Sequence, residues 1–206
     1  MIKLYDFELS GCCYKVRLLL NILKVSCERM PVDFVNKEHK TDSFLKLNPL
    51  GELPVMEDGE VRLRDSQSIL VYIARQYDRS NTWFPDAPDS MGRIMQWLAF
   101  GGHELMTASG ARAVKLFKYP LDLQALQVRA MASFRILDAH LAGREFLEFG
   151  HPTIADIACF PYVAMAGEGG IDLKPYPNIL HWIDRIKQIP GFSPMPGIPA
   201  LGADPA

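Results

Sequence analysis

Sulfur chemistry is what the residue types of this chain offer first. Residues 9–20, LSGCCYKVRLLL, run a small polar cluster, Ser10-Gly11-Cys12-Cys13, directly into an apolar helical pattern. Where a strand gives way to a helix, the first backbone amides lack partners and the helix dipole is positive, so an anion is stabilised there. A thiolate is such an anion, whether it belongs to the protein or to a ligand. Ser10 could donate a hydrogen bond to a ligand thiolate, and Cys12 or Cys13 could itself be the reactive sulfur. Both cysteines also suit the commoner fate of a free thiol, a small buried hydrophobe at the start of a packed helix.

Three more clusters could hold a ligand against that sulfur. Leu53-Pro54 begins a strand after NPLGE, where proline cannot donate to a ladder. A trans proline is the default at a strand start; a cis bond would turn the preceding backbone outward to face a ligand. Asp65-Ser66 opens a helix, either as a pair of caps or as a seat for a ligand carboxylate, with Asp65 available to an ammonium group. His39-Lys40 lies in a polar loop and reads either as solvated surface or as a carboxylate clamp. HPTIADIA differs in kind: Thr153 and Asp156 fall at N-cap and N3, the spacing of a capping box, and that reading is structural.

The elements that must position these residues change period along the chain. IKLYDF alternates as a strand, and VRLLLNIL puts Val16, Leu19, Leu20 and Leu23 on one helical face. RMPVDFV alternates Met30, Val32 and Phe34, with Pro31 marking a sheet edge. LPVMEDGEVRL reads as a hairpin turning at Asp58-Gly59, and DSQSILVYIARQY as a helix. Beyond DRSNTWFPDAPDS, whose prolines mark a linker, only helical patterns follow: MGRIMQWLAFGGHELM, DLQALQVRAMASFRILDAHLA, TIADIACFPYVAMA and NILHWIDRIKQI. Gly101-Gly102 inside the first of these predicts a kink or close packing. The tail, PGFSPMPGIPALGADPA, is too rich in proline and glycine for regular structure. The fold class is α/β plus all-α: an α/β domain over 1–78, a linker over 79–89 and a helical domain over 90–206.

Bulk properties narrow the function. With 206 residues, 49% of them hydrophobic, a sizeable core can form, and a net charge of -2 provides no electrostatic footprint for nucleic acid. Apolar runs are broken before the roughly 18 residues of a membrane span. The opening MIKLYDFELSG has no signal-peptide pattern. Four cysteines at 12, 13, 27 and 159 show no paired spacing, and the five histidines show no ligand spacing, so neither a disulfide framework nor a metal site is expected. A reducing cytoplasm suits such a chain.

Together, LSGCCYKVRLLL, FLKLNPLGELPVMEDG, LRDSQSILVYIA and HPTIADIACFPY, in this order, resemble the cytosolic glutathione transferase superfamily, serine-type or bacterial nu-like, over essentially the whole chain. The resemblance implies a thioredoxin-like N-terminal domain, a helical C-terminal domain, glutathione as co-substrate, and a homodimer in the cytoplasm serving detoxification. It also implies roles. Ser10 stands in the slot of the catalytic serine, and Tyr5 stands too early for a tyrosine-type catalyst. Cys12 replaces the asparagine of nu-like members, two residues on. Pro54 looks like the family's cis-proline, with the Leu53 backbone pairing with the cysteinyl part of glutathione. Asp65 and Ser66 match the γ-glutamyl contacts, and His39 and Lys40 the glycyl contacts; Glu52 fills a slot often held by glutamine. His103, Met106, Arg112 and Phe117 are candidates for the second-substrate pocket. The function this implies is thiolate attack on small hydrophobic electrophiles. Two alternatives share the fold: a disulfide oxidoreductase using bound glutathione or Cys12/Cys13, and a non-catalytic binding protein.

Overall fold

The computed structural model describes residues 1–202. Its first part alternates β1 (Ile2–Asp6), α1 (Gly11–Ile22), β2 (Cys27–Pro31), the short α2 (Asp42–Leu45), β3 (Val55–Asp58), β4 (Val61–Leu63) and α3 (Ser66–Tyr77). The four strands lie in the order β2-β1-β3-β4, with β1 and β2 parallel and the other pairs antiparallel. α1 is the crossover that a parallel pair requires. Alternation along β1 sends Ile2 and Leu4 into the main core, while Tyr5 packs with Phe44 and Val55 in a small second core on the other face. Five helices follow: α4 (Pro88–Gly102), α5 (Met106–Phe117), α6 (Leu123–Leu141), α7 (Ile154–Ala164) and α8 (Pro177–Lys187). This is a thioredoxin-like N-terminal domain joined to an all-helical one.

Three details differ from the sequence reading. β2 is the edge strand as expected, but it stops at Pro31, and Phe34 lies in a turn rather than on the strand. The hairpin turns on Gly59-Glu60, one residue later than Asp58-Gly59, since Asp58 still pairs with Val61. α1 is buried over every residue from Cys13 to Leu20 rather than along one stripe. It lies between the sheet and the helical half, packed on α3 and α7, so no side of that stretch faces water.

α7 is the axis of the helical half, packing on α1, α4 and α8. A Cβ at Gly11 would come 3.0 Å from the Met165 methyl and 3.3 Å from the Tyr162 ring, so glycine there lets the start of α1 lie against α7. Gly101 does the same for α4, where a Cβ would meet the Ala158 carbonyl oxygen at 3.2 Å. The segment MGRIMQWLAFGGHELM is α4, which ends at Gly102; α5, which the sequence reading did not give, starts at Met106 and runs to Phe117. Among the described residues no helix is long and apolar enough to cross a membrane.

Candidate active site

A cleft of about 440 Å³ opens between the two halves, at the C-terminal ends of the parallel strands β1 and β2. Ser10 is the N-cap of α1, and its Oγ accepts the Cys13 amide at 3.2 Å. One acceptor position of the hydroxyl is thereby used while its proton stays available to donate. Two arginines hold the loop that carries it. Arg17 reaches back from α1 to the buried Asp6 carboxylate and gives Nη2 to the Glu8 carbonyl at 2.9 Å. Arg112 of α5 gives Nη1 to the Leu9 carbonyl at 2.6 Å and Nε to Glu168 at 2.5 Å. The position of Ser10 therefore depends on both halves of the molecule.

The two adjacent cysteines part company. Cys12 lines the cleft, with its Sγ 3.1 Å from the Tyr162 hydroxyl. Cys13 is fully buried, and that burial pushes its thiol up to about 12. Of the two candidate thiols, only Cys12 meets the cleft. Lys15, one turn into α1, is buried with its ammonium 5.0 Å from the Tyr162 ring centre, and burial lowers its pKa.

The cleft collects most of the residues singled out from the sequence. Ser10, Cys12, His39, Lys40 and Leu53 line it from the first half, and Met106, Arg112 and Phe117 from the second. The Leu53–Pro54 bond is cis, and Pro54 is buried directly behind Leu53. Lys40 turns its Nζ onto the Leu50 and Gly51 carbonyls, at 3.1 and 2.7 Å. His39 stacks on Phe34 with ring centres 4.2 Å apart, and its Nδ1 is buried without a partner. Burial, followed by Lys40 and Lys37, lowers its pKa, so the ring is neutral near pH 7. Glu52 is exposed at the rim, and its carbonyl accepts from Asn48 at 2.8 Å. Tyr5 donates to Glu57 at 3.1 Å, on the sheet.

Asp65 and Ser66 stand at the start of α3. Asp65 is the N-cap, accepting the Ser68 amide at 2.8 Å, and Ser66 is buried. Asp65 and His103 line a neighbouring groove between α3 and α4. His103, expected for the second-substrate pocket, lines this groove and not the cleft, with its side chain exposed just past the end of α4. Among the described residues no group of three or more His, Cys, Asp or Glu is placed to hold a metal.

Sequence reasoning missed most of the aromatic wall. Phe7 and Phe34 stack at 5.0 Å, and Phe117 tilts against both at 6.1 and 6.4 Å. One signal was available. Phe7 and Phe34 each follow the C-terminal end of a parallel strand, where α/β sheets bind their ligands.

Comparison with known proteins agrees with the two-part fold. The glutathione S-transferase N-terminal domain family matches residues 4–81 and the C-terminal domain family residues 122–185. A glutathione S-transferase crystal structure from Pseudomonas fluorescens is 30% identical, covering 94% of this chain and 98% of that one, with a TM-score of 0.88. The chain belongs to the cytosolic glutathione transferase superfamily. Glutathione S-transferase 3 of Zea mays is 29% identical over 98% of this chain and 99% of its own length. Human glutathione S-transferase theta-1 is 26% identical over 92% of this chain and 84% of its own.

Proposed function

We propose that this member of the superfamily is an active glutathione transferase in which Ser10 activates the glutathione thiolate for attack on small hydrophobic electrophiles. The observation that carries the reading is the Ser10 hydroxyl, set at the N-cap of α1 on the cleft with its proton free to donate. A sulfur anion above it gains that hydrogen bond and the positive end of the helix dipole. Each unit by which the thiol pKa falls corresponds to about 1.4 kcal/mol, and one charge-assisted hydrogen bond of roughly 1.5–3 kcal/mol supplies one to two units.

In this reading the Leu53 backbone pairs with the cysteinyl part of glutathione, behind which Pro54 closes the turn. His39 and Lys40 lie toward the glycyl end, and Asp65 and Ser66 toward the γ-glutamyl end. The electrophile enters from the side of Met106, Arg112 and Phe117. Substrate attack needs no metal, because the thiolate supplies the electron pair and the leaving group departs with its own. A homodimer working in the cytoplasm, with detoxification as its role, and a division at 1–78, 79–89 and 90–206 complete the proposal.

A second reading keeps the cleft and gives the sulfur chemistry to Cys12, supported by its place on the cleft beside the Tyr162 hydroxyl. Turnover of an aryl halide and of a glutathionylated disulfide, by wild type, Ser10→Ala and Cys12→Ala, separates the two. Loss of aryl transfer in Ser10→Ala alone supports the transferase; loss of disulfide reduction in Cys12→Ala alone supports the oxidoreductase. A wild type that binds no glutathione rejects both in favour of a non-catalytic binding protein.

A further inference from the structure

The cleft does not end at its aromatic wall. A second chamber of about 760 Å³ adjoins it, and the two share Phe34, His39, Lys40, Phe117 and Tyr119. Phe7, Phe34 and His39 form a stacked column, with successive rings 5.0 and 4.2 Å apart and inclined by 15° and 8°. Phe117 leans on this column from the helical half, so an apolar group on the way out meets the ring edges of the column and the Phe117 ring.

The character of the outer chamber is different. Lys37, Lys40 and Lys118 line it beside Val35 and Leu116, and no aspartate or glutamate does. Among the described residues none of these lysines has a carboxylate within 4.0 Å. Glu38, next to Lys37 in the chain, spends its carboxylate on the Asp33 amide at 2.6 Å. Lys118 Nζ reaches the Lys115 carbonyl, and Lys40 Nζ two loop carbonyls, so their positive charges stay unneutralised. Lys37 comes from the loop after β2 and Lys118 from the end of α5, so the two halves of the molecule bring cations to opposite sides of one opening.

We propose that the preferred second substrate is an anionic amphiphile, with a flat or aromatic electrophilic body against Phe34 and Phe117 and a carboxylate or sulfonate between Lys37 and Lys118. This rests on the transferase reading of the inner cleft and names the substrate class for it. With a chlorinated aryl carboxylate, the glutathione sulfur forms the new C–S bond, the C–Cl bond breaks, and chloride leaves with the bonding pair. The carboxylate takes no part in the chemistry; it binds through charge, which ionic strength screens.

The test compares 4-chloro-3,5-dinitrobenzoate with neutral 1-chloro-2,4-dinitrobenzene, each rate divided by its uncatalysed rate with glutathione. Wild type is set against a Lys37→Gln/Lys118→Gln double variant. The expected result is about a tenfold loss of kcat/KM on the benzoate in the double variant, carried by KM, with the neutral halide serving as reference. The same discrimination should collapse in wild type when salt is raised from about 0.05 to 0.5 M. Equal losses on both substrates, or none on either, overturn the proposal. So does a raised KM for glutathione with unchanged discrimination, which would assign the lysines to glutathione. If neither halide is turned over, the transferase reading has failed on its own. Calorimetric binding of unreactive 3,5-dinitrobenzoate then decides: weaker binding by the double variant supports the anionic subsite, and equal binding overturns it.

Discussion

Hydroxyl side chains cap both α1 and α7, yet Ser10 and Thr153 sit in opposite surroundings. Thr153 is fully buried, and its capping box is closed by Asp156, which accepts from the Thr153 amide, the Leu147 amide and the Trp182 indole, each at 2.9 Å. That one carboxylate ties α7 to α8 and to the segment before it. α1 has no acidic residue in its first turn, and its cap serves only the Cys13 amide while facing a cleft. The start of α7 carries its own buried carboxylate and is structural; the start of α1 lacks one and leaves its field toward the cleft.

The strongest way to break this contrast is Asp156→Ala. Four buried donors, the Thr153 hydroxyl included, would lose their acceptor, at about 1–3 kcal/mol each before relaxation, so a loss on the order of 3–5 kcal/mol is expected after it. For a chain of this size that lowers Tm by roughly 10 °C, read by calorimetry. A fall of only a degree or two would show that the α7 start is not the sealed structural end described here. Ser10→Ala should do the reverse: about 10- to 100-fold lower kcat/KM for aryl transfer, with a stability cost near 1 kcal/mol, typical of a lost cap. Should Ser10→Ala unfold the protein while leaving turnover per folded molecule unchanged, the two caps would be alike.

A smaller effect sharpens the picture within α1 itself. Below about pH 12 Cys13 stays a thiol, because burial raises its pKa, so alkylation at pH 7.5 should leave it unmodified. Cys159, also buried and raised, should be spared too. Labelling on the cleft should fall on Cys12 and be slowed by glutathione, as located by peptide mass mapping. Modification of Cys13 as fast as Cys12 would mean that the start of α1 opens away from α7.

How much of this was legible beforehand follows from the range of each interaction. The capping box of α7 needs only Thr153 and Asp156 three residues apart, and spacing alone reveals it. The order of strands and of every long helix except α5 was readable for the same reason, because hydrophobic period and turn residues act locally. Ser10, Leu53-Pro54 and Asp65-Ser66 stand out in the sequence because each sits at an element boundary, where chain geometry itself exposes backbone groups.

Other features depended on residues far apart in the chain. Nothing near position 12 distinguishes its cysteine from the next; Tyr162, 150 positions on, and the packing of α1 on α7 leave one thiol on the cleft and bury the other. Arg112 anchors the Leu9 carbonyl from 103 positions away, and Phe117 completes a wall begun by Phe7 and Phe34. Local pattern alone therefore determined most of the elements and their caps. Only the packing of the two halves decided which side chains share the cleft, because burial and long-range contact are properties of the folded chain and leave no short-range periodicity to read.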